Sequence, residues 1–235
     1  DPTMRIIALE EHLVTPMYNE HFPPNRRNNP AMMARQDALG HDVNAELIDI
    51  GASRIKAMDA VGIDRCVLAG ESQGGAIAQY AAARWPERFV GLVLAAPAPA
   101  RPAKGTGRNA FADACRADYP GTVDQFVAAC FPEPDCEHVK RWAKNVLLRA
   151  EPEQAARIVE MWRDETVPEL DPRAITVPTL IVHGTADAIV PIDESRELAA
   201  RLTDAELLEF EGSGHVPTMT RPDEVVAAIQ QRFAP

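Results

Sequence analysis

Short runs of apolar, often β-branched residues alternate along the chain with longer segments in which apolar residues recur at helical spacing. That alternation is typical of parallel strands joined by crossover helices. Each run is nearly continuous in apolar residues, as a sheet buried on both faces requires. The pattern predicts five strands, at Arg5 to Leu9, Cys66 to Ala69, Phe89 to Ala95, Thr179 to His183 and Glu206 to Phe210.

The segments between these runs predict helices with one buried face. In Ile48 to Ala60 the apolar side chains fall on one stripe of a helix, and the charged ones lie largely off it. Gly74 to Arg84 is rich in Gly and Ala, which lets a helix lie close to a sheet, and Trp85-Pro86 ends it. Two further helices are predicted over Ser195 to Leu202 and Asp223 to Phe233.

Between the third and fourth runs no strand is evident, and apolar residues recur only at helical spacing. The stretch Pro97 to Gly107 opens this interval and is too rich in proline to form a regular element. We therefore predict an α/β core over residues 1–97 and 175–235, interrupted by a helical cap over residues 98–174. The predicted core is a mostly parallel sheet of about five strands flanked by helices.

Charge and composition narrow the range of expected partners. The 235 residues include 24 Lys and Arg against 35 Asp and Glu, a formal net charge of -11, and no basic cluster suited to a phosphate backbone. Nucleic acid is therefore not expected as a partner. No apolar run reaches the roughly 20 residues that a membrane-spanning helix needs, and no secretion signal is evident. We expect a cytoplasmic protein without a membrane partner.

The four cysteines are Cys66, Cys115, Cys130 and Cys136, and none of them forms a C-x-x-C pair. Three of them fall in stretches that predict apolar helix or strand. We expect reduced thiols, with a disulfide between Cys130 and Cys136 as the alternative.

The G-x-S-x-G sequence from Gly70 to Gly74 lies between a predicted strand and a predicted helix. In that context it is typical of a nucleophile elbow, a sharp turn that presents a serine. Glycines are expected there because the serine backbone is strained and side chains at the flanking positions would collide with neighbouring backbone. The turn brings Ser72 Oγ to a helix N-terminus, where the Gln73 N–H and the helix dipole can face an oxyanion.

A serine hydroxyl is a weak nucleophile at neutral pH, so this interpretation needs a base and a group that orients the base. Asp187 and His215 each follow the C-terminal end of a predicted strand. Loops at those ends meet at one edge of a parallel sheet. We therefore predict that His215 is the base and that Asp187 orients it.

Other interpretations of these positions stay open. His215 could be an ordinary surface histidine, and Asp187 could stabilise a turn. Asp193 is the competing carboxylate, placed where it could instead begin a helix. His183 is interpreted as a structural histidine at a strand end, and His138 as a solvent-facing residue of the cap.

From about Val67 to Phe233 the chain resembles the α/β-hydrolase superfamily. The resemblance rests on the order serine, aspartate, histidine and on the stretches Val67 to Gly75, Trp85 to Leu94, Val182 to Asp187 and Gly212 to His215. It implies a serine hydrolase with a reduced α/β-hydrolase fold and a mobile cap over its pocket. It also implies a small-molecule substrate with an ester, lactone, thioester or related acyl bond, an acyl-enzyme, and no metal or organic cofactor.

Upstream of the elbow the chain departs from that family, which has further strands and a His-Gly loop that supplies the second oxyanion N–H. No His-Gly sequence occurs before Ser72. Within residues 4–65, Met4 to Pro16 and Leu47 to Asp64 are instead similar to the start of an amidohydrolase-type metal-dependent decarboxylase. That resemblance implies a weak metal site at Glu10 and His12, and the later ligands of such a site have no match here.

This departure leaves three hypotheses for function: a serine hydrolase, a metal-dependent decarboxylase, and a binding protein that kept the hydrolase architecture but lost turnover. Residues 4–65 are interpreted as an atypical segment from a fusion of two families, and its strand Arg5 to Leu9 is expected to lie beside Cys66 to Ala69. Glu10 to His12 would then lie beside the elbow. A sheet of only five strands also leaves exposed edges, so we expect that the chain can form a homo-oligomer.

Overall fold

The computed structural model describes residues 60, 62, 64–100, 109–161 and 170–233. In this part of the chain, parallel strands form one sheet in the order β1-β2-β3-β4. Because the strands are parallel, their carboxyl ends lie at one edge of the sheet. The strands are β1 (Cys66–Glu71), β2 (Phe89–Ala95), β3 (Thr179–Gly184) and β4 (Ala205–Phe210).

Helices connect the strands and cover the sheet. The 12-residue helix α1 (Gln73–Arg84) follows β1 and packs on β1 and β2. The described part of the chain between β2 and β3 forms four helices, α2 (Ala110–Ala117), α3 (Tyr119–Cys130), α4 (Glu137–Leu147) and α5 (Pro152–Met161). The last three helices are α6 (Ile192–Arg201), α7 (Pro217–Thr220) and α8 (Pro222–Phe233), and short 3-10 turns span Pro86–Arg88 and Pro172–Ala174.

The two faces of the sheet have separate apolar cores. On one face Leu92, Leu94 and Ile181 pack with residues of α1 and α6. On the other face Ala95, Leu180, Val182 and Phe210 pack with residues of α8. Neighbouring residues of a strand point to opposite faces, so the strict alternation of these positions follows from strand geometry.

Burial differs among the strands, and here the sequence-based expectation was partly wrong. All of β3 is buried, and β2 is buried from Gly91 onward, whereas β1 and β4 keep exposed positions at Ala69, Glu206 and Glu209. Among the described helices, some pack on both faces of β2 and β3, but β1 contacts chiefly α1, and β4 contacts chiefly α6. Only the middle strands of the described sheet therefore match the prediction of burial on both faces.

Helices α2 to α5 lie inside the interval predicted to be the cap, and we call residues 110–161 the cap helices. They share an apolar core of their own that includes Cys115, Val123, Val127, Phe131 and Ala156. Side-chain oxygens cap the N-termini of α2 and α3. Asn109 Oδ1 accepts from Ala112 N at 3.2 Å, and Asp118 Oδ1 accepts from Gly121 N at 3.1 Å. The predicted boundaries of 98 and 174 stay a prediction.

Other sequence-based expectations have mixed outcomes. The predicted strand Arg5 to Leu9 and all but the last residue of the predicted helix Ile48 to Ala60 lie outside the described residues. Helix α6 begins at Ile192 instead of Ser195, directly after Pro191, with two acidic residues in its first turn. All four cysteines are free thiols, so the alternative of a Cys130–Cys136 disulfide was wrong. Within the described ranges, no helix is long and apolar enough to span a bilayer.

Candidate active site

Ser72 lies in the turn between β1 and α1 with φ 51° and ψ -119°, a backbone conformation that is strained for a residue with a side chain. The surrounding backbone holds it there. Ser72 N donates to Ala95 O at 2.9 Å, and Ala98 N donates to Ser72 O at 2.8 Å. The backbone at the end of β2 and just beyond it therefore holds both the N–H and the carbonyl group of Ser72.

The glycines around Ser72 differ in how much space a side chain would have. A Cβ on Gly70 would lie 2.4 Å from Gly74 O, and a Cβ on Gly75 would lie 2.8 Å from Pro97 Cβ. Side chains at those two positions would therefore collide with the turn. A Cβ on Gly74 would meet no atom of the described residues within 4 Å. The expectation that both glycines of the motif are needed for space was thus right for Gly70 and wrong for Gly74.

The structure brings Ser72, His215 and Asp187 into one hydrogen-bonded chain. Ser72 Oγ lies 2.9 Å from His215 Nε2, and His215 Nδ1 lies 2.7 Å from Asp187 Oδ2. A carboxylate can only accept, so Nδ1 carries the ring proton and Nε2 is left to accept from the serine hydroxyl. His215 is 4% exposed, and the Asp187 side chain is fully buried. This arrangement is the geometry of a serine nucleophile beside an oriented base.

Asp187 serves a turn and a histidine at the same time. Its Oδ1 accepts from Ile189 N at 2.7 Å and from Val190 N at 3.0 Å, which is the turn-stabilising role considered as an alternative. Its Oδ2 accepts from His215. Burial alone would raise the pKa of Asp187, but hydrogen bonds from the two histidines that contact it outweigh burial and hold that pKa below its usual range. The carboxylate therefore stays ionised.

The second histidine on Asp187 is His183, the last but one residue of β3. Its side chain is fully buried, and its Nε2 lies 3.0 Å from Asp187 Oδ2 and 2.9 Å from Val190 O. Both partners are acceptors, so Nε2 carries a proton. Its Nδ1 lies 2.6 Å from the buried Ser195 Oγ. The structural role expected for His183 agrees with these contacts, but its contact with the acid was not foreseen. His183 and Asp187 are only four positions apart in the sequence, on either side of the turn that follows β3.

The competing carboxylate and the remaining histidine lie elsewhere. Asp193 is in the first turn of α6, where it forms an exposed ion pair with Arg196 at 2.9 Å. His138 is exposed on α4. Neither residue joins the chain of hydrogen bonds at Ser72.

Two further ionisable groups border the site. Burial raises the pKa of Glu71, although a hydrogen bond from Thr218 Oγ1 and the nearby His215 act against it. Burial, together with the negative charges of Asp187 and Glu71, raises the pKa of Cys130 to about 12. The thiolate is the nucleophilic form of cysteine, so the raised pKa disfavours Cys130 as a nucleophile at neutral pH.

One oxyanion donor is available at the elbow. Gln73 is the first residue of α1, and the first N–H groups of a helix have no partner within it. The predicted ligands Glu10 and His12, and the segment expected beside the elbow, lie outside the described residues. In the described ranges, no group of three or more His, Cys, Asp or Glu side chains could hold a metal ion.

Ser72, His215 and Asp187 meet at the carboxyl edge of a parallel sheet, which is where the α/β-hydrolase fold carries its site. Comparison with protein families agrees, because the model of the alpha/beta hydrolase family matches residues 20–228. The chain belongs to that family and is a hydrolase. The match begins well upstream of Val67 and includes much of the segment 4–65, so the predicted fusion stays a prediction.

Two proteins of similar sequence and one solved structure of similar fold are also hydrolases by name. The chain is 31% identical over 179 residues to the AB hydrolase superfamily protein YisY of Bacillus subtilis, covering 72% of this chain and 66% of that protein. It is 28% identical over 210 residues to a pimeloyl-[acyl-carrier protein] methyl ester esterase of Vibrio parahaemolyticus, covering 83% and 80%. The enol-lactonase from Burkholderia xenovorans LB400 has a similar fold, with a TM-score of 0.66 at 22% identity, over 78% of this chain and 71% of that one.

Proposed function

We propose that this protein hydrolyses carboxylic esters or lactones through an acyl-enzyme on Ser72, with His215 as base and Asp187 orienting it. The hydrogen-bonded chain from Ser72 Oγ through His215 to Asp187 carries the proposal. The names of two relatives, a methyl ester esterase and an enol-lactonase, support an ester or lactone as the target bond. A thioester or related acyl bond is open to the same chemistry.

In the first half-reaction Ser72 Oγ attacks the acyl carbon while His215 Nε2 takes its proton. The carbonyl oxygen becomes an oxyanion, which the Gln73 N–H and the N-terminal end of α1 stabilise. The acyl C–O bond then breaks, and His215 returns the proton to the leaving oxygen. An ester releases an alcohol, whereas a lactone keeps the new hydroxyl on its acyl chain.

In the second half-reaction water attacks the acyl-enzyme while His215 Nε2 takes the water proton. The proton passes to Ser72 Oγ as the acyl–serine bond breaks, which releases the acid and restores the serine. Asp187 holds the imidazole in the correct tautomer and stabilises the imidazolium that forms in each half-reaction. Its low pKa keeps it negatively charged for this role.

The test is covalent labelling with a fluorophosphonate, which reacts with an activated serine, followed by mass spectrometry of the labelled peptide. We expect one label on the wild-type chain, located on Ser72, and none on Ser72→Ala. The control is Cys130→Ala, which removes the neighbouring thiol but keeps the backbone carbonyl that accepts from His215 N, and its label should still be located on Ser72. An unlabelled wild-type protein, or a label that persists in Ser72→Ala, would overturn the proposal.

Turnover separates this proposal from a binding protein with the same architecture. Hydrolysis of aryl esters of graded acyl length, well above the buffer rate, is expected for the wild type and absent in Ser72→Ala. The chain-length series also reports on the substrate pocket. A small-molecule substrate, the absence of a resident cofactor, a homo-oligomer and a cytoplasmic location stay predictions.

A further inference from the structure

The loop that carries His215 is bound to the end of cap helix α3. Ser213 Oγ donates to Glu133 Oε1 at 2.8 Å, and Gly214 N donates to the same oxygen at 2.9 Å. His215 N donates to Cys130 O, also at 2.9 Å. Three consecutive residues of the loop are thus hydrogen-bonded to a segment about 80 positions earlier in the chain.

Close packing accompanies these bonds. A Cβ on Gly214 would lie 2.3 Å from both Cys130 O and Pro132 Cδ, so the loop and the end of α3 touch with no space for a side chain. Val216 and Ile189, from the loops of His215 and Asp187, pack against the apolar core of the cap helices. The cap helices therefore contact both loops that complete the triad.

Glu133 is suited to hold this loop. Burial would raise its pKa, but hydrogen bonds from the Gly214 N–H, its own N–H and the Ser213 hydroxyl outweigh burial and lower that pKa. The carboxylate is therefore charged at neutral pH. Hydrogen bonds to a charged acceptor are stronger than those between neutral groups.

We propose that Glu133 is a positioning residue for the catalytic histidine, so that the cap, and not only the core, sets the distance between His215 and Ser72. This inference rests on the proposed function. Without Glu133, the buried Gly214 N–H loses its acceptor, and the Ser213 hydroxyl keeps only Thr220 Oγ1, 3.0 Å away, so the loop must move to find a new acceptor for Gly214. The Ser72 Oγ to His215 Nε2 distance of 2.9 Å then lengthens.

The test compares Glu133→Ala with Glu133→Gln in the full chain. A displacement of about 1 Å at a catalytic group can cost about 100-fold in rate, so we expect kcat for an aryl ester to fall about 10- to 100-fold in Glu133→Ala with little change in KM. A glutamine carbonyl oxygen can accept both loop hydrogen bonds. Glu133→Gln should therefore recover most of the lost kcat.

The matched control is Glu137→Ala, at an exposed glutamate in the first turn of α4 whose ion pair with Lys140 lies on the surface. It should leave both kinetic constants unchanged. If Glu133→Ala does not fold, Ser213→Ala removes only one of the two bonds to Glu133, and a fall in kcat smaller than about 10-fold is expected.

The labelling rate distinguishes positioning from stability. With fluorophosphonate, Glu133→Ala should reach the same final stoichiometry as the wild type but more slowly, because Ser72 is present and its base is misplaced. An unchanged labelling rate and kcat with a lower melting temperature, or an effect on KM alone, would overturn the inference. Failure of the proposed function is distinguishable, because the wild type itself would then not label.

Discussion

The elbow of Ser72 and the loop of His215 are held in place by different means. The elbow is fixed by its own strained backbone, by glycines that allow close approach, and by hydrogen bonds to Ala95 at the end of β2 and Ala98 just after it. The loop is fixed by Glu133 and Cys130, which lie on a cap insertion far away in sequence.

This contrast separates two ways of building one triad. The proposed nucleophile depends on a short stretch of chain, a G-x-S-x-G turn between a strand and a helix. The base depends on contacts between elements that meet only when the cap has docked. Changes in the cap should thus act on the base and leave the elbow intact.

Asp187→Asn gives the largest expected effect, because it acts on the loop side of this comparison. The amide cannot hold the His215 tautomer, so kcat should fall about 10⁴-fold with little change in the elbow. The measurement is steady-state hydrolysis of an aryl ester. Asp193→Asn is the control, since that exposed carboxylate forms an ion pair with Arg196 on the surface and the variant should keep near wild-type kcat. An equal loss in both variants would contradict the assignment of Asp187.

A pair of glycine substitutions tests the elbow side. Gly70→Ala places a Cβ against Gly74 O and should lower the free energy of unfolding by about 1–3 kcal/mol, as overpacking does. Gly74→Ala, in the same motif, places a Cβ that meets no atom of the described residues within 4 Å, and it lies in α1, where alanine is favoured over glycine by up to about 1 kcal/mol. Urea unfolding of both variants makes the measurement. Equal destabilisation would show that the motif needs both glycines.

Glu71→Gln should give the smallest effect, a gain in stability that depends on pH. The folded-state pKa of Glu71 is raised, so the folded protein binds that proton more tightly than the unfolded chain does. The stability contributed by this group is present below its unfolded pKa and is lost as the pH rises through its folded pKa. Glutamine stays neutral and can still accept from Thr218.

The measurement for Glu71→Gln is urea unfolding of wild type and variant at pH 7.5 and at pH 4. The variant should be the more stable protein at pH 7.5, and its advantage should shrink at pH 4. Titrating groups that do not interact with Glu71 are common to both proteins and cancel in the difference, whereas the nearby His215 is coupled to Glu71. A gain of the same size at both pH values would show that charge on Glu71 is not its cause.

The elements and the triad could be predicted because their signals are local. The four described strands were located to within two residues at each end, and Ser72 was recognised from its motif. Asp187 and His215 were predicted from their places at strand ends, since topology brings those ends to one edge of the sheet. None of these inferences required a contact between the core and the cap.

The remaining features depend on contacts that no local pattern encodes. Glu133 lies just beyond a helix end and resembles any surface glutamate in sequence, because its partners Ser213 and Gly214 are about 80 positions away. The contact of His183 with Asp187 requires the turn after β3 to fold back on its own strand. Exposure at β1 and β4 depended on which helices cover the sheet.

The insertion of the cap helices between β2 and β3 makes them resemble an exchangeable module, one that a protein engineer would swap between relatives to alter specificity. The hydrogen bonds from residues 213–215 to residues 130–133 change that view. A chimera that replaces the whole insert also loses the hydrogen bonds that hold the loop of His215. Grafts that exchange the cap helices but retain Cys130 to Glu133 should preserve turnover and change the substrate preference.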